Sequence, residues 1–172
     1  MRVRRIVTGN DTEGRSEVVS DGFSPGHFDL ITDEFDVLWQ TDSTPPDLSG
    51  TRDPADVERF AQLPPPGGIN WVVLRVPPQA QADTVDRTSP EFAEAMARFD
   101  TGGTEEPGGA GWHTTNTLDF VTVVSGRIDL ELDDGVHHLG PGDCVVQRGT
   151  RHRWVNPYDQ PCVMTGVLIS AE

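Results

Sequence analysis

Gly111-Trp112-His113-Thr114-Thr115-Asn116-Thr117-Leu118-Asp119 and the later run Pro141-Gly142-Asp143-Cys144-Val145-Val146-Gln147-Arg148-Gly149-Thr150-Arg151-His152-Arg153-Trp154-Val155-Asn156 decide how this chain is read. Both are rich in β-branched and aromatic residues, with glycine and proline where strands must turn. Two imidazoles and a carboxylate, His113, His152 and Asp119, fall on separate strand-like runs. A sheet that rolls up on itself can bring such distant side chains to one interior point.

Outward from these runs the same signals continue. Ile128, Leu130 and Leu132 alternate with Arg127, Asp129, Glu131 and Asp133, which predicts a strand with one dry and one wet face. Asp134-Gly135 predicts a type I′ hairpin, and Val136 to Leu139 and Cys162 to Ile169 read as further strands. Upstream, Trp71 to Val76 is a strand bounded by Pro77-Pro78, while Val3 to Thr8, Ser16 to Ser20 and Phe35 to Thr41 are shorter β-prone runs. The Pro/Asp/Gly-rich stretch from Asp42 to Gly68 holds a candidate short helix capped by Asp53, with Pro54 in its first position. Ser89 to Phe99 is the clearest helix. Ser89 caps it, Phe92, Met96 and Phe99 form an apolar stripe to pack on the sheet, and Glu94 and Arg98 make an exposed pair. The glycines at Gly102-Gly103 and Gly108-Gly109 mark a flexible connection, which would also allow that helix to act as a lid.

Composition narrows the function classes. A chain of 172 residues with 35% hydrophobic residues suits one globular domain with a sizeable core. A net charge of -15 argues against nucleic acid and anionic membrane as partners, which need cationic patches. All 13 basic residues are arginine, so Schiff-base chemistry and a phosphate-loop lysine are both excluded. The basic start, Met1 to Arg5, is followed by no apolar segment, and Cys144 and Cys162 read as buried free thiols in a reducing cytoplasm.

From about Asn70 onward the chain resembles the cupin superfamily. His113 matches the first histidine of the first cupin motif, Asp119 stands where its glutamate belongs, and Gly126 follows at the expected distance. In the second motif Pro141-Gly142-Asp143 matches the opening turn, and Gly149, His152 and Asn156 match in spacing. Thr115 replaces the second motif histidine, Gln147 replaces a proline, and the segment from Gly142 to Gly149 is one residue short. The His-Thr-Thr-x-Thr-x-Asp-Phe pattern is similar to that of small single-domain cupins with no assigned reaction. The resemblance implies an all-β protein with a cupin-type β-barrel (a jelly roll, or double-stranded β-helix), N-terminal extra strands and one or two short helices. Residues 1–172 would form one domain, with a β extension and Pro/Gly-rich loop over 1–68 and the barrel over 69–172, helical insertion at 89–100. It also implies a homodimer, with N-terminal strands crossing to the neighbour.

Two chemistries remain open for the barrel interior. In one, His113, Asp119 and His152 hold a divalent transition metal (Fe, Mn, Ni, Zn or Cu) with open positions for substrate. Asp119 and His152 are then the candidate catalytic residues of a lyase, isomerase, decarboxylase or oxygenase acting on a small organic acid, ketone or aromatic compound. In the other, Asp119 and His152 bond to each other or to the Thr115 and Thr117 hydroxyls in a metal-free binding or sensory pocket. Strand alternation predicts Thr115, Thr117, Gln147, Trp154 and Trp71 as the pocket lining.

Overall fold

The computed structural model describes residues 2–50, 52–102, 106–107, 109 and 111–171. Along the chain run strands β1 (Arg4–Asn10), β2 (Ser16–Phe23), β3 (Gly26–Asp29), β4 (Glu34–Thr41), β5 (Phe60–Ala61) and β6 (Ile69–Val76). Two short helices follow, α1 (Gln79–Ala82) and α2 (Pro90–Ala97). The remaining strands are β7 (Phe99–Asp100), β8 (Thr117–Ser125), β9 (Ile128–Leu132), β10 (Gly135–Leu139), β11 (Cys144–Arg148), β12 (Arg153–Val155) and β13 (Cys162–Ser170).

One six-stranded antiparallel sheet, ordered β11-β8-β13-β6-β4-β3, forms the main wall, and a three-stranded sheet, β10-β9-β12, forms the other. Val123, Cys162 and Met164 from the first pack on Ile128, Leu139 and Trp154 from the second, which closes the two walls on each other. A second apolar cluster holds Phe28, Phe35, Phe60 and Phe99 together with Val37, Val72 and Leu168. Its tightest ring pair, Phe35 and Phe99, has centroids 4.6 Å apart. Strands β3 and β4 therefore belong to the barrel wall, although they lie upstream of residue 69. The β1–β2 hairpin pairs with neither sheet. It is tied down by Arg5, which donates to the Leu38 carbonyl at 2.7 Å and pairs with Asp53.

Helix α2 starts as its sequence dictates, with Ser89 Oγ accepting from the Phe92 amide at 3.1 Å and proline in the first turn. None of its residues is fully buried; Phe99, just past its end, is the stripe residue that enters the core. The expected Glu94–Arg98 pair gives way to another arrangement. Arg98 donates Nε to the Glu58 carbonyl at 3.2 Å and lies over the Phe28 ring.

Three further local expectations are corrected. No helix forms at Asp53, whose carboxylate is engaged by the Ala55 amide and by Arg5, which leaves a turn. The β9–β10 hairpin exists, but its turn residues are Asp133 and Asp134. Among the described residues Ile31 is the one non-glycine with positive φ, so that turn is not type I′. Cys144 is exposed, while Cys162 is buried, its thiol pushed up to about 11 by desolvation. The glycine run lies partly outside the described residues, at 103 and 108.

Candidate functional site

Strand β8 and the segment leading into it build one side of the site. Thr115, Thr117 and Asp119 alternate with exposed or half-buried neighbours and are 5%, 3% and 6% exposed. Residues directly opposite in a ladder share a face. Asp119 lies opposite Gln147 on β11 and opposite Leu168 on β13; Leu168 in turn lies opposite Asn70 on β6. Gln147, Asp119, Leu168 and Asn70 therefore form one buried row across four strands.

His113 and His152 reach the site from a different construction. Neither lies inside a long strand; the two exchange backbone hydrogen bonds of 3.0 Å as an isolated bridge. That bridge sets the imidazoles side by side, ring centroids 4.3 Å apart and planes tilted by 54°. His113 Nδ1 sits 2.8 Å from the Gly111 carbonyl and His152 Nδ1 2.9 Å from the Thr150 carbonyl. A carbonyl oxygen only accepts, so each Nδ1 carries the proton, and Nε2 of the neutral ring is left as an acceptor. Burial pushes His152 down to about 4, with the bond to Thr150 opposing the shift, so this ring is neutral at pH 7.

Two motif glycines make this geometry possible. Gly149 has φ 59°, and a side chain there would come 3.1 Å from the Thr115 carbonyl. Gly126 has φ 77°, and a Cβ would lie 2.3 Å from the Pro161 carbonyl, so no other residue fits that turn.

The carboxylate of the site is left short of partners. Asp119 Oδ1 is buried and has no hydrogen-bond partner. Desolvation raises its pKa above the usual carboxylate range, against the hydrogen bond from Thr117 and the nearby His113 imidazole. The hydroxyls of Thr115 and Thr117 are bonded to each other at 2.9 Å. Gln147 spends its amide nitrogen on the Thr150 carbonyl, at 3.1 Å, and on its hydroxyl. Trp154 meets His152 edge-on, with centroids 6.2 Å apart, and packs into the apolar cluster behind it. At the rim, Trp112 is covered by the guanidinium groups of Arg151 and Arg153, which are paired with Glu106, Asp133 and Glu131. A groove of about 610 Å³ is lined by Thr115 and Thr117 together with Asn116, Arg148 and Ala171; neither imidazole nor Asp119 lines it.

Comparison with known proteins agrees with this architecture. The family described as Cupin domain matches residues 96–169. The phomopsin biosynthesis cluster protein C' of Diaporthe leptostromiformis is 33% identical over 161 residues, covering 88% of this chain and 69% of that protein. The chain belongs to the cupin superfamily. This cupin is also 32% identical, over 158 residues, to the cupin-domain-containing oxidoreductase fogC of Aspergillus ruber, covering 90% of this chain and 64% of that one. It thus spans just under two thirds of that relative's length. A solved sugar phosphate isomerase of the superfamily, from Silicibacter pomeroyi, superposes with a TM-score of 0.38 at 21% identity, over 60% of this chain and 51% of that chain.

Two corrections concern the predicted site of this cupin. Trp71 stands on the outer face, 45% exposed, with Nε1 donating to Thr165 Oγ1 at 3.0 Å. Its neighbour Asn70, 1% exposed, takes the inward position instead. Asn70 was not among the predicted residues, and only the long-range pairing of β6 with β13 reveals its side. The second correction concerns the metal. The donor types of His113, Asp119 and His152 suit a borderline divalent ion. Yet among the described residues no three His, Cys, Asp or Glu side chains gather to hold one. Thr115 supplies a weakly coordinating hydroxyl in place of an imidazole. As placed, these residues do not fit a three-ligand metal centre.

Proposed function

We propose that this cupin is a small-molecule enzyme whose interior moves a proton on a small oxygenated substrate. The observation that carries the reading is the buried, unpartnered oxygen of Asp119. A carboxyl raised above its ordinary range holds and passes a proton closer to neutrality than an exposed one does. His152 contributes a neutral Nε2 acceptor in a fixed tautomer. Thr115, Thr117, Gln147 and Trp154 line the space, and His113 fixes His152 through their backbone bridge. The names of the relatives, an oxidoreductase and a biosynthesis-cluster protein, support a place in small-molecule metabolism.

The test is hydrogen–deuterium exchange at carbon in a panel of small ketones and hydroxyketones, followed by NMR in heavy water. The native protein accelerates exchange of at least one, and Asp119→Asn and His152→Gln each slow it by at least about ten-fold. If exchange never exceeds that in buffer, the second reading takes over: a binding or sensory cupin without catalysis. Thr115 in place of a motif imidazole favours that alternative.

A homodimer and a cytoplasmic setting complete the proposal. On the outer face of the main wall Val146, Phe120, Val167, Trp71 and Trp39 lie in register as one apolar row across five strands. Phe120 and Trp71 are each 45% exposed. A second copy would bury this uncharged row without bringing the acidic surfaces of two -15 chains together. Phe120→Asp is expected to convert a dimer to monomer in sedimentation velocity; a native protein that sediments as monomer at all concentrations rules the dimer out. No described helix is long and apolar enough to cross a membrane, and both cysteines are free thiols.

A further inference from the structure

One guanidinium ties three chain segments together at the rim of the site. Arg151 Nε pairs with Glu106 at 3.1 Å, Nη1 pairs with Asp133 in the β9–β10 turn, and Nη2 donates to the Pro107 carbonyl. Its flat face lies on the Trp112 ring, 3.9 Å from the centroid. All three guanidinium nitrogens and the face are in use, which the planar fork of arginine allows and an ammonium would not. Trp112 directly precedes His113, and Arg151 directly precedes His152. The contact between them therefore backs the His113–His152 backbone bridge, one residue ahead of each imidazole.

The groups of the site leave almost no surface for a ligand to touch. His152, Asp119, Thr115 and Thr117 are all buried, so contact with a ligand requires some element to move. The walls are held too well to be that element. Strand β8 is hydrogen-bonded to β11 on one side and to β13 on the other, and the small sheet packs its apolar face on Val123, Cys162 and Met164. Glu106 and Pro107 belong to no strand. Their polar contacts among the described residues are with Arg151 and with Trp112, whose carbonyl accepts from the Glu106 amide at 3.0 Å. The Glu106 carboxylate is also near enough to act on the His152 imidazole through its charge. A segment fixed by side chains at the surface opens far more readily than a paired strand does.

We propose that Arg151 is the latch of this site: its hold on Glu106, Pro107 and Trp112 keeps the imidazole pair in place and shut from water, and a ligand enters by parting that hold. The inference deepens the site reading above, in which His152 supplies the proton acceptor. Arg151 acts through Trp112 and the histidine bridge, so it is a positioning residue. Asp133, seated in the β9–β10 turn, is the fixed end of the latch, and Glu106 with Pro107 is the end that parts.

Carbethoxylation of the full chain with diethyl pyrocarbonate at pH 7, read by peptide mass spectrometry, tests the latch without any substrate. The reagent attacks neutral imidazole nitrogen. His138, its side chain 65% exposed, is the internal standard. In the native protein His152 should react at least about a hundred-fold more slowly than His138. Arg151→Gln should speed His152 by about ten-fold and leave His138 unchanged, the size expected from two ion pairs and a ring contact. Glu106→Gln frees the parting end alone and should give about three-fold, which carries the test if Arg151→Gln does not fold. Arg75→Gln breaks an ion pair of similar exposure between β6 and β4, with Glu34, and should leave His152 as slow as in the native chain. His152 at its native rate in folded Arg151→Gln, or in Glu106→Gln where the first variant does not fold, overturns the latch. Equal acceleration in Arg75→Gln overturns it too, because general loosening would then be the cause. Either result leaves the Asp119 reading standing, whereas absence of carbon exchange in the native protein removes that reading and leaves the latch.

Discussion

Asp119 and Asp129 are both buried aspartates, on consecutive strands β8 and β9 that belong to opposite sheets, and they are treated in opposite ways. Asp129 accepts from the Tyr158 hydroxyl at 2.7 Å and from His138 Nδ1 at 2.8 Å, and Arg127 covers the tyrosine ring. Asp119 keeps one oxygen with no partner. Both donors meet Asp129 on Oδ1 and tie it to the architecture, whereas Asp119 Oδ1 is buried with no donor at all. The contrast separates a carboxylate held by its neighbours from one with a buried oxygen to spare, without reference to motif position.

The histidines beside the two acids offer the strongest test. His152 is 3% exposed and pushed down to about 4, whereas His138 is largely exposed. A base whose folded pKa is depressed contributes stability that is complete above its unfolded value, about 6.5, and is lost as pH falls toward 4. Between pH 7 and pH 4 the fold should lose up to about 3 kcal/mol through His152. His152→Gln should remove that part of the acid sensitivity in urea unfolding, and His138→Gln should not. Equal flattening by both variants would break the contrast.

Next in size, Asp129→Ala should cost about 2 kcal/mol at pH 7, because Tyr158 and His138 lose a charged acceptor. The urea midpoint should fall with an unchanged slope. The smallest effect has the opposite sign. Asp119→Asn should gain about 1 kcal/mol at pH 7 by removing a desolvated charge. For an acid with a raised folded pKa, the penalty exists above that pKa and vanishes below the ordinary carboxylate value, so the gain should disappear in melts near pH 3. A loss of stability in Asp119→Asn at pH 7 would place this residue with Asp129 among the structural groups.

Much of this was legible in the sequence, for a local reason. Thr115, Thr117 and Asp119 share a face because a strand has a period of two, and one inward residue fixes the rest. Trp154 follows in the same way from His152. What failed depended on partners far along the chain. Trp71 and Asn70 are neighbours, and nothing local says which faces inward; the answer lies in the register with Leu168, almost a hundred residues later. Asp129 was read as part of a wet face because its partner Tyr158 lies 29 residues downstream. The sequence pattern puts His113 on a strand-like run, but the bridge with His152, not a ladder, sets its position.

The edge-on contact between Trp154 and His152 has a practical consequence. Indole emission is quenched by a nearby imidazolium far more than by neutral imidazole. In a variant that keeps Trp154 and replaces the other three tryptophans, emission should therefore report the charge on His152 as protons arrive.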